Sequence, residues 1–268
     1  MRNDIVICLL AVNPSYEIYN FYKKFNYKVF IVIDDDKYTI PGFQNDISII
    51  KINNVICEKK GYKNTVAWFP NKAVSRDEAL YYFNNVYTDY KFIWFIEEDV
   101  FVPSVLTIEN IDTKYPTTDL LVTENNVYHE TPVDNHWWRD LVKNQIKIEP
   151  PYGNSMICAI RCSRNLMIAI NDYVLKYNDL FMDEFLFNTI AIQNNLQINA
   201  IPELKTIVWK KDWDSSSFVK NNLYHPIKDT KLHDIYRQYV KESFGKSSQF
   251  QFVILIIFVL FIFFFYKK

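Results

Sequence analysis

Glycine is scarce in this chain, four residues in 268, and the scarcity removes several enzyme classes at once. A glycine-rich phosphate loop, a dinucleotide-binding turn and a G-x-S-x-G nucleophile elbow all need glycine at fixed spacing, and none occurs. An excess of either charge is lacking too. Lys+Arg 30 against Asp+Glu 31 leaves a formal net charge of -1, so no global basic field exists to hold a nucleic-acid backbone, and no nucleic acid is expected as a partner. The four cysteines, Cys8, Cys57, Cys158 and Cys162, form no C-x-x-C pair. Cys8 and Cys158 sit inside apolar runs and read as structural thiols of buried strands. The N-terminal run Ile5 to Val12 has no small-residue cleavage site after it and reads as a first core strand.

What is present is an alternation of strand and helix signals. Ile5 to Leu10 and Val29 to Ile33 are β-branched runs separated by Pro14-Ser15 and an amphipathic stretch, Tyr16 to Phe25. Ile47 to Ile52 offers a short strand, and Ser75 with Glu78 suits a capping box before a helix from Arg76 to Asn85. Phe92 to Ile96 is too short for a helix and reads as a buried central strand. Pro103-Ser104 opens a further helix, Leu120 to Val122 is a strand, and Ser155 to Ile160 is another. Ser163 caps a helix to about Tyr177, and helices follow from Asp183 to about Asn194 and from about Lys231 to Ser243.

The chemistry gathers at strand ends. The second strand runs into Asp34-Asp35-Asp36, and the central strand delivers Glu97, Glu98 and Asp99, at the positions where open α/β sheets bind ligands. Three adjacent acids repel one another, and partial burial strips their hydration. A divalent cation relieves both problems; carboxylate oxygens suit Mg²⁺ or Mn²⁺, which keep positions open for substrate phosphates. A solvated turn is the competing reading of the triplet.

Phe92 to Phe101, with Glu97-Glu98-Asp99 inside it, resembles the strand and D-x-D-type motif of GT-A glycosyltransferases, Glu97 standing where the first Asp is usual. The resemblance implies a three-layer α/β/α domain with a mostly parallel central sheet, metal ligation by Asp99 and Glu97, and nucleotide contacts from Glu97 and Glu98. Arg76 to Phe83 looks like the helix preceding that strand, which implies Arg76 on phosphate and Asp77 on ribose, against simple capping. Asp34 and Asp35 resemble the carboxylates after the second strand that contact the nucleoside. Phe181 to Phe187 resembles the acidic helix start that supplies the acceptor-side base, with Glu184 the first choice and Asp183 the second, although acids there also suit the helix dipole. His225 sits where many such enzymes place a late metal-binding histidine, and Lys228 would meet the diphosphate. Trp209 and Trp213, or Trp137 and Trp138, are candidates to stack on an acceptor sugar.

The function implied is transfer of a sugar from a nucleotide-diphosphate sugar, a UDP-sugar first, to an acceptor hydroxyl on a glycan, protein or lipid, with Mn²⁺ (or Mg²⁺) as cofactor. Two other readings stand beside it: a catalytically inactive binding or structural protein on the same fold, and a metal-dependent nucleotidyltransferase. From Phe250 to Tyr266 only Gln251 interrupts an apolar run. As a helix it would span roughly 25 Å. The expected organisation is a catalytic domain over 1–246 and a hinge with a single transmembrane anchor over 247–268, the large domain facing the cytosol.

Overall fold

The computed structural model describes residues 2–34, 38–39 and 47–242. Asp35 and the expected membrane anchor lie outside them. Among the described residues, no helix is long and apolar enough to cross a membrane.

The β-branched runs form the strands their composition calls for. β1 (Arg2–Ala11), β2 (Tyr27–Ile33), β3 (Ser48–Ile50) and β4 (Phe92–Glu97) are mutually parallel, with β1 central between β2 and β4. β5 (Leu120–Val122), β8 (Ala159–Ser163) and β9 (Ile198–Ala200) complete a seven-stranded sheet in the order β3-β2-β1-β4-β8-β5-β9, in which β8 alone runs antiparallel to its neighbours. This is an α/β fold with a mostly parallel central sheet.

Both faces of the sheet are apolar, so both must be covered. Val6, Cys8 and Leu10 of β1 pack with residues of α3 (Ser75–Asn85), α5 (Arg164–Tyr177) and α6 (Asp183–Gln193). Ile5, Ile7 and Leu9 pack on the opposite side with α1 (Tyr16–Tyr22) and α4 (Val105–Lys114). A short α2 (Asn54–Lys59) adds Cys57 to the first cluster. A third, smaller cluster of Phe101, Phe218, Tyr224, Ile227 and Val240 lies under a last helix, α7, over 232–242.

Ser15, Ser104 and Ser163 cap α1, α4 and α5, each accepting a backbone N–H of the first turn. Three local expectations are corrected. The helix from Tyr16 stops at Tyr22 because Phe25 turns back to stack on Tyr22, with ring centroids 5.2 Å apart. Ser75 is the first residue of α3 and not its cap; Asp77 performs that work by accepting the Val74 N–H at 3.0 Å. Of the strand expected over Ser155 to Ile160 only Ala159 and Ile160 are strand, as the start of β8, and residues 155–158 divide β8 from β7 (Tyr152–Asn154), which pairs with β6 (Asn126–Tyr128). The division falls at Ser155, whose hydroxyl takes the Glu124 N–H and whose own N–H goes to the Glu184 carbonyl.

Gly153 shows why one of the few glycines is where it is. A Cβ there would lie 2.6 Å from Ile192 Cδ1 and 2.9 Å from Asn188 Cβ, so β7 can approach α6 closely only without a side chain. Thr189 Oγ1 then exchanges hydrogen bonds with the Gly153 backbone, which anchors the helix that begins at Asp183.

Under the third cluster, His233 is buried with Nε2 3.2 Å from the Ile227 carbonyl, so that nitrogen carries the proton. Burial, then the Arg237 charge, pushes its pKa down to about 4 from an ordinary 6.5. The fold therefore favours neutral imidazole: its contribution is complete above pH 6.5 and is lost as pH falls towards 4. The shift corresponds to about 3 kcal/mol. Urea unfolding at pH 7 and pH 4.5 is expected to show wild type losing more stability than His233→Gln across that interval; equal losses would contradict it.

Candidate functional site

The carboxyl ends of β1, β2 and β4 open together on one edge of the sheet. Residues from these ends (Leu10, Ala11, Asp34, Glu97) line a cleft of about 470 Å³ with Glu98, Asp99, Arg76, Asp183 and Lys228. A second lobe of about 290 Å³ adjoins it and shares Glu97, Asp183 and Lys228, adding Cys158, Glu184, His225, Trp68 and Trp209. Glu97, Asp183 and Lys228 thus stand on the boundary between two lobes.

Each of these side chains has a local reason for its place. Glu97 continues the β4 face that carries Ile93 and Phe95, so its carboxyl points toward α3. There Arg76, in the first turn of α3, gives Nη2 to Glu97 Oε1 at 2.8 Å and Nε to Asp183 Oδ2 at 3.0 Å. The guanidinium is almost wholly buried and ties the starts of α3 and α6 to the end of β4. Asp99 lies inside a tight turn closed by Val100 N to the Glu97 carbonyl. His225 and Lys228 reach it because residues 224 to 227 lie along the chain beyond β4: Phe101 bridges to Tyr224, and Ile227 N donates to the Asp99 carbonyl at 2.8 Å.

His225 carries the most specific geometry. Its Nδ1 lies 2.7 Å from the Val208 carbonyl; a carbonyl can only accept, so Nδ1 holds the proton. Nε2 then faces two carboxylates, Asp99 Oδ1 at 3.4 Å and Glu97 Oε2 at 3.9 Å. This is the arrangement by which a backbone carbonyl fixes a ligating imidazole. Donors held at metal-binding distance around a tetrahedral ion lie roughly 3.3–3.6 Å apart. Burial works to raise the Asp99 pKa, but hydrogen bonds from His225 and Lys228 outweigh it and bring it down to about 2. Lys228 Nζ is 2.6 Å from Asp99 Oδ2 on a side chain that is 79 % exposed, so it can turn to a ligand without unpacking anything.

Set against known protein families and curated sequences, the chain matches no family model and no curated protein.

Not every expected residue enters the cleft. Asp34 and Glu98 line the larger lobe, and Glu98 Oε1 also accepts the Val12 N–H at 3.1 Å, which ties the loop after β1 to the turn. Asp77 does not reach either lobe: its carboxyl is fully buried on the Thr65 and Val74 N–H groups, and its place is structural. Arg76 lines the larger lobe and pairs with Glu97 and Asp183, while its buried Nη1 has no hydrogen-bond partner among the described residues. The two acceptor-side acids also differ. Asp183 is paired to Arg76, whereas Glu184 Oε2 is buried with no hydrogen-bond partner among the described residues. Burial, then the charges of Asp183 and Glu97, pushes the Glu184 pKa well up from the ordinary carboxyl value.

The tryptophans separate in the same way. Trp138 packs on Tyr152 and Phe185, and Trp213 packs on Tyr224 with its indole N–H on the His225 carbonyl, so both belong to the framework. Trp137 stands between Trp68 and Trp209, at centroid distances of 5.4 and 5.8 Å. Trp68 and Trp209 are 54 % and 51 % exposed at the rim of the smaller lobe. Trp68 escaped the sequence reading because it sits in a polar loop with no periodicity. Cys158 escaped because an apolar neighbourhood made it look like core.

Proposed function

We propose that the protein is a metal-dependent glycosyltransferase of GT-A type, moving a sugar from a nucleotide-diphosphate sugar to an acceptor hydroxyl. The observation that carries this reading is His225 Nε2 facing Glu97 and Asp99 with its Nδ1 fixed on the Val208 carbonyl, on the boundary between two lobes at the ends of parallel strands. Carboxyl groups in the cleft outnumber the basic groups, Arg76, Lys228 and Lys210, so a divalent cation matches the local charge. Glu97, Asp99 and His225 would hold it, with Mn²⁺ the first candidate. When bound, such a cation supplies positive charge for the departing diphosphate.

The donor belongs in the larger lobe, its nucleoside toward Asp34 and Glu98 and its diphosphate within reach of Lys228. The acceptor belongs in the smaller lobe, between Glu184 and the exposed faces of Trp68 and Trp209. As the acceptor oxygen forms its bond to the anomeric carbon, the bond from that carbon to the phosphate oxygen breaks, and the acceptor proton passes to Glu184. A base whose pKa is raised toward the working pH suits that task. Asp183, held by Arg76, positions the helix start. The apolar run 250–266 would keep the reaction at a membrane.

Nucleotide release from a panel of UDP- and GDP-sugars, with Mn²⁺ and with chelator, tests the proposal. One nucleoside diphosphate is expected, its release falling to background with chelator and returning when Mn²⁺ is restored. Pyrophosphate released from nucleoside triphosphates would replace the proposal with nucleotidyl transfer, and a folded protein binding neither nucleotide nor cation would favour the inactive reading.

A further inference from the structure

The cysteine at the head of β8 has an unusual neighbourhood for a core thiol. β8 runs antiparallel to β4 with Ala159 opposite Ile96, which puts Cys158 opposite Glu97, and Glu97 N donates to the Cys158 carbonyl at 2.9 Å. Cys158 packs with Ile96 and Ala159, yet its thiol lies at the strand end close to a Glu97 carboxyl oxygen. One ligand atom from each of Glu97, Cys158 and His225 lies within 4.8 Å of the other two. Cys158 also lines the smaller lobe, whereas Cys8, Cys57 and Cys162 are wholly buried and line neither lobe.

We infer that Cys158 is a ligand of the cation held by Glu97, Asp99 and His225, and that the site therefore takes a thiophilic divalent ion of the Zn²⁺ and Co²⁺ class in preference to Mg²⁺. The inference rests on the cation reading given above and narrows it. Sulfur, imidazole nitrogen and carboxylate oxygen together are the donor set of borderline-soft ions, while Mg²⁺ demands oxygen and holds its waters. Glu97 Oε2 lies 3.9 Å and Asp99 Oδ1 3.4 Å from His225 Nε2, and Glu97, Cys158 and His225 form the mutually close set. The thiol gives up its proton to solvent as the sulfur-metal bond forms, as does His225 Nε2 where it donates to Asp99, and the Nδ1 bond to the Val208 carbonyl keeps the ring turned toward the site. The antiparallel strand thereby adds a ligand that no acidic motif on β4 encodes.

Co²⁺ added to the full-length protein tests this without any assay of turnover. Wild type is expected to show visible d–d absorption together with a near-ultraviolet sulfur-to-cobalt charge-transfer band, and Cys158→Ser to lose the second while keeping the first. Should the serine variant fail to fold, Cys158→Ala serves the same comparison, and the wild-type band alone already requires a thiolate. Visible absorption without a charge-transfer band in wild type overturns the role of Cys158 and leaves the cation reading standing. A band that persists in the Cys158 variants also overturns it. Absence of both signals overturns it as well, and nucleotide release insensitive to chelator would then place the failure in the cation reading itself.

Discussion

Glu184→Gln is expected to lower sugar transfer by about 100- to 10,000-fold, the usual worth of a positioned proton acceptor, while the domain becomes more stable. The two effects have one cause. The Glu184 carboxyl is buried, has a partnerless Oε2 and lies near the acids Asp183 and Glu97, so its folded pKa stands above the unfolded value. A carboxyl raised in this way costs the fold stability as pH climbs through the unfolded value toward the folded one, because the chain must be held with a disfavoured anion or an added proton. Glutamine keeps the shape and removes that cost. A structural role would predict the reverse, a less stable protein with activity lost through unfolding. Urea midpoints at neutral pH beside transfer rates separate the cases: an unchanged rate would remove Glu184 from the chemistry. Binding of Mn²⁺ should be unaffected, since Glu97, Asp99 and His225 remain.

The second large effect lies behind the sheet. Asp112→Ala is expected to cost about 3–5 kcal/mol, the range for breaking one side of a buried ion pair. Asp112 Oδ1 meets Arg161 Nη1 at 2.7 Å with both side chains fully buried, and it also takes the Trp94 indole N–H at 3.1 Å. Tyr27 gives its hydroxyl to Oδ2 at 2.7 Å. Arg161 further donates to the carbonyls of Tyr115 and Thr118 and lies over the Phe92 ring at 4.4 Å. One carboxylate therefore joins α4 to β2, β4 and β8. Removing it takes the charge partner from a buried guanidinium and the acceptor from the Trp94 indole N–H in the apolar interior. Against a typical stability of about 5–15 kcal/mol, such a loss would show as a large fall in the urea midpoint. Replacing both charges, Asp112→Ala with Arg161→Met, should recover part of it, because a missing pair costs less than a broken one. If the double variant were no better than the single, the penalty would lie in the cavity and not in the orphaned charge.

Local pattern was enough for much of the fold. The β-branched runs at Ile5, Val29 and Phe92 became neighbouring parallel strands, and Ser15, Ser104 and Ser163 became caps, because strand and cap preferences act over a few residues. The cap of α3 was misread for the opposite reason. Asp77 competes for the Val74 N–H and also receives Thr65 N, a partner brought in by a loop that no local window contains.

By itself the sequence determined the alternating α/β character and the acidic end of β4, since each depends on composition and short spacing, with Cys158 read only as a core thiol. Tertiary structure alone decided which side chains act together. Arg76 was drawn to Asp183 and Glu97, 107 and 21 positions away in number, and Glu184 Oε2 beside them is buried with no hydrogen-bond partner among the described residues. His225 reached Asp99 through a bridge between Phe101 and Tyr224. Cys158 reached Glu97 because β8 entered the sheet antiparallel, a choice made by pairing across the sheet that periodicity along one strand does not carry.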